Sequence, residues 1–131
     1  MPRQLYLKGP LGSVYLYVRP SSRIPAKEFL NDCEEIRRKK LKGLFRALTE
    51  LGARFQLHQQ FKPLHNEGKP LWEFKAFDHR LYAIREQISE MAVNVVLLNG
   101  WVKDKEGKAK EERDKIAIAI TLYQEYLRYR D

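Results

Sequence analysis

Apolar and polar positions change period along this chain, and each change marks an element. Near the start, QLYLKGPLGSVYLYV places two short β-prone runs around the turn-like GPLG, predicting a hairpin or a single strand at Val14 to Val18. RPSSRIP then breaks the pattern. From Ala26 the apolar residues recur at helical spacing, at Phe29, Cys33, Ile36, Leu41, Leu44, Leu48 and Leu51, and Gly52 is a natural stop. Gly43, and the switch from acidic NDCEE to basic RRKKLK, leave open one bent helix or two packed as a hairpin. Either choice gives one apolar stripe and one basic face. HQQFKPLHNEGKP, with its two prolines and a glycine, reads as a loop.

Three strand-like runs follow: LWEFKAF (71–77), RLYAIRE (80–86) and VNVVLLNGWV, with 94–102 as the strand and Val93 leading. Two alternate and the third is almost continuously apolar, which places the third centrally with both faces covered. Asp78 and His79 alone separate the first two, so these form an antiparallel hairpin. From Ala109, the residues Ile116, Ala119, Ile120, Tyr123 and Leu127 mark one face of a final helix. The order predicts an α+β fold: a small, twisted antiparallel sheet with an N-terminal helical segment or hairpin and a C-terminal helix. With the helices on one face of the sheet, the other is expected to be polar or to carry a site.

At 131 residues the chain fits a single domain, 1–131, and no internal repeat is visible. Its formal net charge of +8 points to polyanionic partners. The excess is uneven, since residues 1–70 carry 14 Lys and Arg against 6 Asp and Glu, whereas residues 71–131 carry 11 against 11. The basic surface therefore comes from the first half. The lone Cys33 excludes an internal disulfide and suits a reducing compartment. MAVNVVLLNGWV is too short to span a bilayer, and MPRQLYLKGP lacks the apolar core of a signal peptide, so the chain reads as cytoplasmic with no membrane partner.

Strand alternation puts Asn99, Trp101 and Lys103 on one side of the last strand, with Leu98, Gly100 and Val102 on the other. Arg80 and Tyr82 share a face of the neighbouring hairpin, and so do Glu73 and Lys75. Placed on one face, these residues make a shallow surface suited to phosphate and base-stacking contacts. Arg37, Arg38, Lys39 and Lys40 are either the wet side of a helix or a dock for ribosomal RNA. Trp72 and Cys33 read as packing residues. His58, His65 and His79, even with Cys33, lack a metal-ligand spacing, and neither a phosphate-binding glycine loop nor a dinucleotide fingerprint occurs. No cofactor and no metal are expected.

KPLWEFKAF, then RLYAI, then VVLLNGWVKDKEGK and a helix ending YQEYL together resemble the HigB-like branch of the RelE/ParE toxins, a branch that includes many phage-derived proteins. The resemblance covers roughly Ala26 to Leu127. Leu71, Trp72, Glu73 and Phe74 match the family's first strand, with Lys75 in place of Arg; Arg80 matches the second; Leu97, Leu98, Gly100 and Lys103 match the third. Asn99 stands where the family usually has His, Trp101 where it has Phe, Asp104 where it has a second Lys, and Ala83 where an aromatic is common.

The resemblance implies a toxin of a type II toxin-antitoxin pair, an mRNA interferase that cuts messenger RNA in the ribosomal A site and leaves a 2′,3′-cyclic phosphate. Its expected partners are the ribosome with its mRNA and a cognate antitoxin of helix-turn-helix type. In such an endoribonuclease the ribose 2′-hydroxyl attacks its own phosphate, so the protein orients the backbone, stabilises phosphorane charge and moves protons. On that basis Arg80 and Lys103 carry phosphate charge, Tyr82 transfers a proton or touches ribose, and Trp101 stacks on a base. Asn99 and Lys75 join the RNA-binding face, and Lys105 or Lys108 substitutes for the missing lysine. A second class stays open: a non-catalytic binding protein on the same fold, directed at gyrase or at a phage host protein.

Overall fold

The polypeptide opens with β1 (Arg3–Gly9) and β2 (Gly12–Tyr17), an antiparallel hairpin closed by Pro10 and Leu11, so both runs around GPLG are strands. The computed structural model describes residues 2–55, 59–64, 70–103 and 109–130. Two helices follow, α1 (Pro25–Asp32) and α2 (Glu35–Leu51). Pro25 starts α1, where its missing N–H costs nothing. The division falls at Cys33 and Glu34, whose ψ angles of 145° and 148° are extended, and not at Gly43, which lies exposed inside α2. Gly52 ends α2 at φ 60°, a conformation open to glycine, and its N–H donates to the Leu48 carbonyl.

The connector read as loop contains a short strand, β3 (Phe61–Pro63). Its partner is β4 (Leu71–Ala76), followed by β5 (His79–Gln87), β6 (Val93–Val102) and α3 (Ala109–Tyr129). The six strands run in the order β1-β2-β6-β5-β4-β3. β4 pairs with β5 antiparallel as expected, and β6 is central and almost wholly buried. The sheet is mixed, however, because β2 runs parallel to β6 with Val14 opposite Val95. The helical pair between them is long enough for the chain to return to the end where it started.

Helices cover both faces, not one. Leu41, Phe45 and Leu48 of α2 pack with Val14, Phe74, Leu81 and Leu97 on one side of the sheet. On the other, Ala119, Leu122 and Tyr126 of α3 pack with Tyr17, Tyr82, Val96, Leu98 and Trp101. The most buried stripe of α3 thus runs through Ala119, Leu122 and Tyr126, with Ile116, Ile120, Tyr123 and Leu127 flanking it. This second layer explains why β6 is apolar on both faces. Arg19 pairs with Glu125 of α3 at 3.0 Å and Tyr17 donates its hydroxyl to Glu125 at 2.7 Å, while Arg3, paired with Glu86 of β5 at 3.1 Å, donates to the Tyr126 hydroxyl of α3 at 3.4 Å.

Candidate nucleic-acid interface

A β-bulge decides which side chains reach the surface. Leu81 sits opposite Gly100 and Ala83 opposite Leu97, so two β6 residues, Leu98 and Asn99, face the single Tyr82. The bulge resets the alternation. Leu98 therefore joins Trp101 against α3, although strict alternation sets the two apart. Gly100 points the other way, where an added Cβ would come within 2.5 Å of the Phe29 ring.

The expected surface of Tyr82, Trp101 and Asn99 is consequently the landing site of α3. Tyr82 is fully buried, and its hydroxyl accepts a hydrogen bond from Trp101 Nε1 at 3.0 Å. Burial pushes the Tyr82 phenol well above its ordinary pKa. A buried phenol so engaged is a core group, which corrects its assignment to proton transfer or ribose contact. Trp101 is 5% exposed and offers no ring face for stacking, so its assignment to a base is corrected as well. Asn99 is buried too, its Nδ2 donating to the Lys115 carbonyl of α3 at 3.4 Å, and its place in the RNA-binding set is likewise corrected. Asn99 Oδ1 has no hydrogen-bond partner among the described residues.

Beyond the first turn of α3 the same face opens. Lys75 of β4 lies opposite Arg80 of β5, which in turn lies opposite Trp101, so the two cations are cross-strand neighbours. Lys103 leaves β6 beside them and pairs with Glu112 of α3 at 2.6 Å. Glu73, opposite Tyr82 and Lys62, is buried in their midst. Desolvation raises its pKa, against the opposing pull of Arg80, Lys62 and Lys75. Three of the sequence-predicted cations, Lys75, Arg80 and Lys103, thus gather at one end of the sheet around two carboxylates. Lys105 and Lys108 lie outside the described residues, as do Asp104, His58 and His65.

The adjoining β4–β5 turn consists of Phe77 and Asp78, since Ala76 pairs with His79. Arg80 Nη1 donates to the Phe77 carbonyl at 2.6 Å and to that of His79 at 3.1 Å, which anchors the guanidinium beside the turn. His79 Nδ1 lies 2.8 Å from Asp78 Oδ1, and that hydrogen bond holds the Asp78 carboxyl below its usual range. Arg37 reaches the turn from α2, its Nε 3.7 Å from Asp78 and its guanidinium 4.1 Å from the centre of the Phe77 ring.

The basic run of α2 is therefore divided. Arg37 belongs to the turn, and Arg38 donates at 3.3 Å to the Leu30 carbonyl, which also accepts the Cys33 N–H at the end of α1. Lys39 and Lys40 are exposed, Lys39 with Glu35 at 3.2 Å. Of the packing assignments, Trp72 stacks on Phe61 at 4.8 Å and Cys33 is buried with its thiol against the Phe29 carbonyl.

Sequence reasoning misses Phe77 and Glu112. Spacing places Phe77 as the last residue of a strand; a two-residue hairpin turn beginning one position earlier would single it out. Glu112 is one carboxylate among many in KDKEGKAKEERDK, and only the start of α3 sets it against Lys103.

Among the described residues, no group of three or more His, Cys, Asp or Glu is arranged to hold a metal ion. No helix among them is long and apolar enough to cross a membrane. No protein-family model matches the chain, and no curated protein sequence matches it.

Proposed function

We propose that this protein is the toxin of a type II toxin-antitoxin pair, a metal-independent endoribonuclease that cuts messenger RNA on the ribosome in the cytoplasm, as the RelE/ParE resemblance implies. The observation that carries the reading is the gathering of Lys75, Arg80 and Lys103 beside Glu112 at the open end of the α3-covered face. An α+β fold with a helical pair before the hairpin and a helix at the C-terminus is consistent with a small RelE-like fold.

In this reading the 2′-oxygen bonds to phosphorus as the bond to the 5′-oxygen breaks, giving a 2′,3′-cyclic phosphate and a free 5′-hydroxyl. Arg80 and Lys103 stabilise the extra charge of the phosphorane. With Tyr82 sealed in the core, proton transfer passes to the half-exposed ion pair: Glu112 accepts the 2′-hydroxyl proton and the Lys103 ammonium supplies one to the departing oxygen. Primer extension on messages from cells expressing the protein tests this directly. Cuts inside codons that disappear when translation is blocked are the expected result.

The same ion pair favours one other reading. Lys103 and Glu112 neutralise each other, and Arg80 is tied to backbone carbonyls, as in a surface that binds without cleaving. A gyrase-directed or host-protein binder would leave every message intact and still arrest growth.

A further inference from the structure

Phe77 combines features that a structural residue rarely shares. Its φ is 58°, in the left-handed region, where glycine, asparagine and aspartate are the usual occupants and a bulky side chain is strained. The residue is 61% exposed at the tip of the β4–β5 turn, so the strain is not offset by burial. One guanidinium, that of Arg37, lies 4.1 Å from the ring centre. A second, that of Arg80, is bonded to the Phe77 carbonyl. The turn thus holds an aromatic ring out from the sheet, with one guanidinium against the ring and a second fixed at its backbone carbonyl.

We propose that Phe77 is a stacking platform for an unpaired nucleobase of single-stranded RNA, with Arg37 and Arg80 holding the flanking phosphates. Every base has a π face, so such a platform grips RNA without reading its sequence. The surroundings favour RNA over an apolar protein partner, because Lys75, Arg80 and Lys103 crowd the neighbouring strand ends and Arg37 flanks the ring. The proposal extends the ribonuclease reading by supplying the grip on substrate that buried Trp101 does not provide, and it rests on that reading for the choice of RNA.

The test uses the whole chain and a twelve-residue oligouridylate as probe. Phe77→Ala is expected to weaken binding by about tenfold, the usual scale of one stacked base. Phe77→Trp is expected to retain affinity and to show fluorescence quenching on binding. Phe77→Gly is expected to unfold at the same temperature as the wild type or higher, since it relieves the left-handed strain, while binding as poorly as Phe77→Ala. Loss of binding without loss of stability is the signature that a merely structural turn residue would not give. Unchanged affinity in Phe77→Ala, or no quenching in Phe77→Trp, overturns the proposal. Failure to cleave any message while the oligonucleotide still binds through Phe77 overturns the ribonuclease reading and leaves the platform standing.

Discussion

Trp101 Nε1 donates to the hydroxyl of Tyr82 at 3.0 Å, joining the two central strands inside the layer that α3 covers. Both side chains belong to the core, so their removal should be felt in stability before it is felt in RNA binding. Tyr82→Phe leaves a buried indole N–H without an acceptor and should cost about 1–3 kcal/mol. Denaturant unfolding measures that loss, and the RNA affinity of the remaining folded protein should match the wild type. A variant of full stability that no longer binds RNA would return Tyr82 to the surface chemistry.

Glu73 should work against the fold at neutral pH. Desolvation raises its folded-state pKa above the unfolded value. Between those two values the folded protein keeps a proton that the unfolded chain has released, so stability falls as pH rises through that window and stays lowered above it. Glu73→Gln should accordingly raise the melting temperature at about pH 7, with the gain shrinking as pH falls towards about 3, where the wild-type carboxyl is protonated in both states. Thermal melts of both proteins across this range check the sign. A variant less stable than the wild type at neutral pH would mean that the ionised carboxylate holds its cations in place.

The exposed half of the basic run should account for salt-sensitive docking. Lys39 and Lys40 project into solvent where ribosomal phosphates can reach them, whereas Arg38 is held by the Leu30 carbonyl and Arg37 lies against Phe77, on the side assigned to the single strand. Replacing Lys39 and Lys40 by Gln should reduce the log-log salt slope of ribosome binding by about 0.7 to 0.9 for each phosphate that is no longer neutralised. An unchanged slope across a salt series would show that this side of α2 points away from RNA.

Much of the fold is legible in the sequence because period and burial agree. The β4–β5 hairpin, the central β6 and the amphipathic α2 and α3 all follow from spacing. Three features do not. β3 is hidden because Phe61–Pro63 is short and contains a proline, and so reads as loop. The parallel pairing of β2 with β6 depends on where the helical pair returns the chain, which local pattern does not encode. The bulge at Leu98 and Asn99 adds one residue to β6 without a proline or a φ-positive glycine to announce it, so strict alternation misassigns Leu98. The candidate site shows the same division. Arg80, Lys75 and Lys103 are legible because they stand at strand ends. Trp101, Tyr82 and Asn99 are misread because the apolar run of β6 implies cover on both faces but not how far along the sheet α3 extends it.

The most direct measurement is the rate of message cleavage on programmed ribosomes by the wild type, Arg80→Ala and Lys103→Ala. Each substitution removes a charge from the place where the phosphorane forms, and loss of one such stabiliser typically lowers the rate by about 10²- to 10³-fold. Ribosome affinity should change far less, because Lys39, Lys40 and the rest of the basic surface remain. Cleavage by the wild type, reduced to that extent in both variants while binding persists, is the predicted result. Intact messages with the wild type, or undiminished cleavage by both variants, would contradict the ribonuclease account.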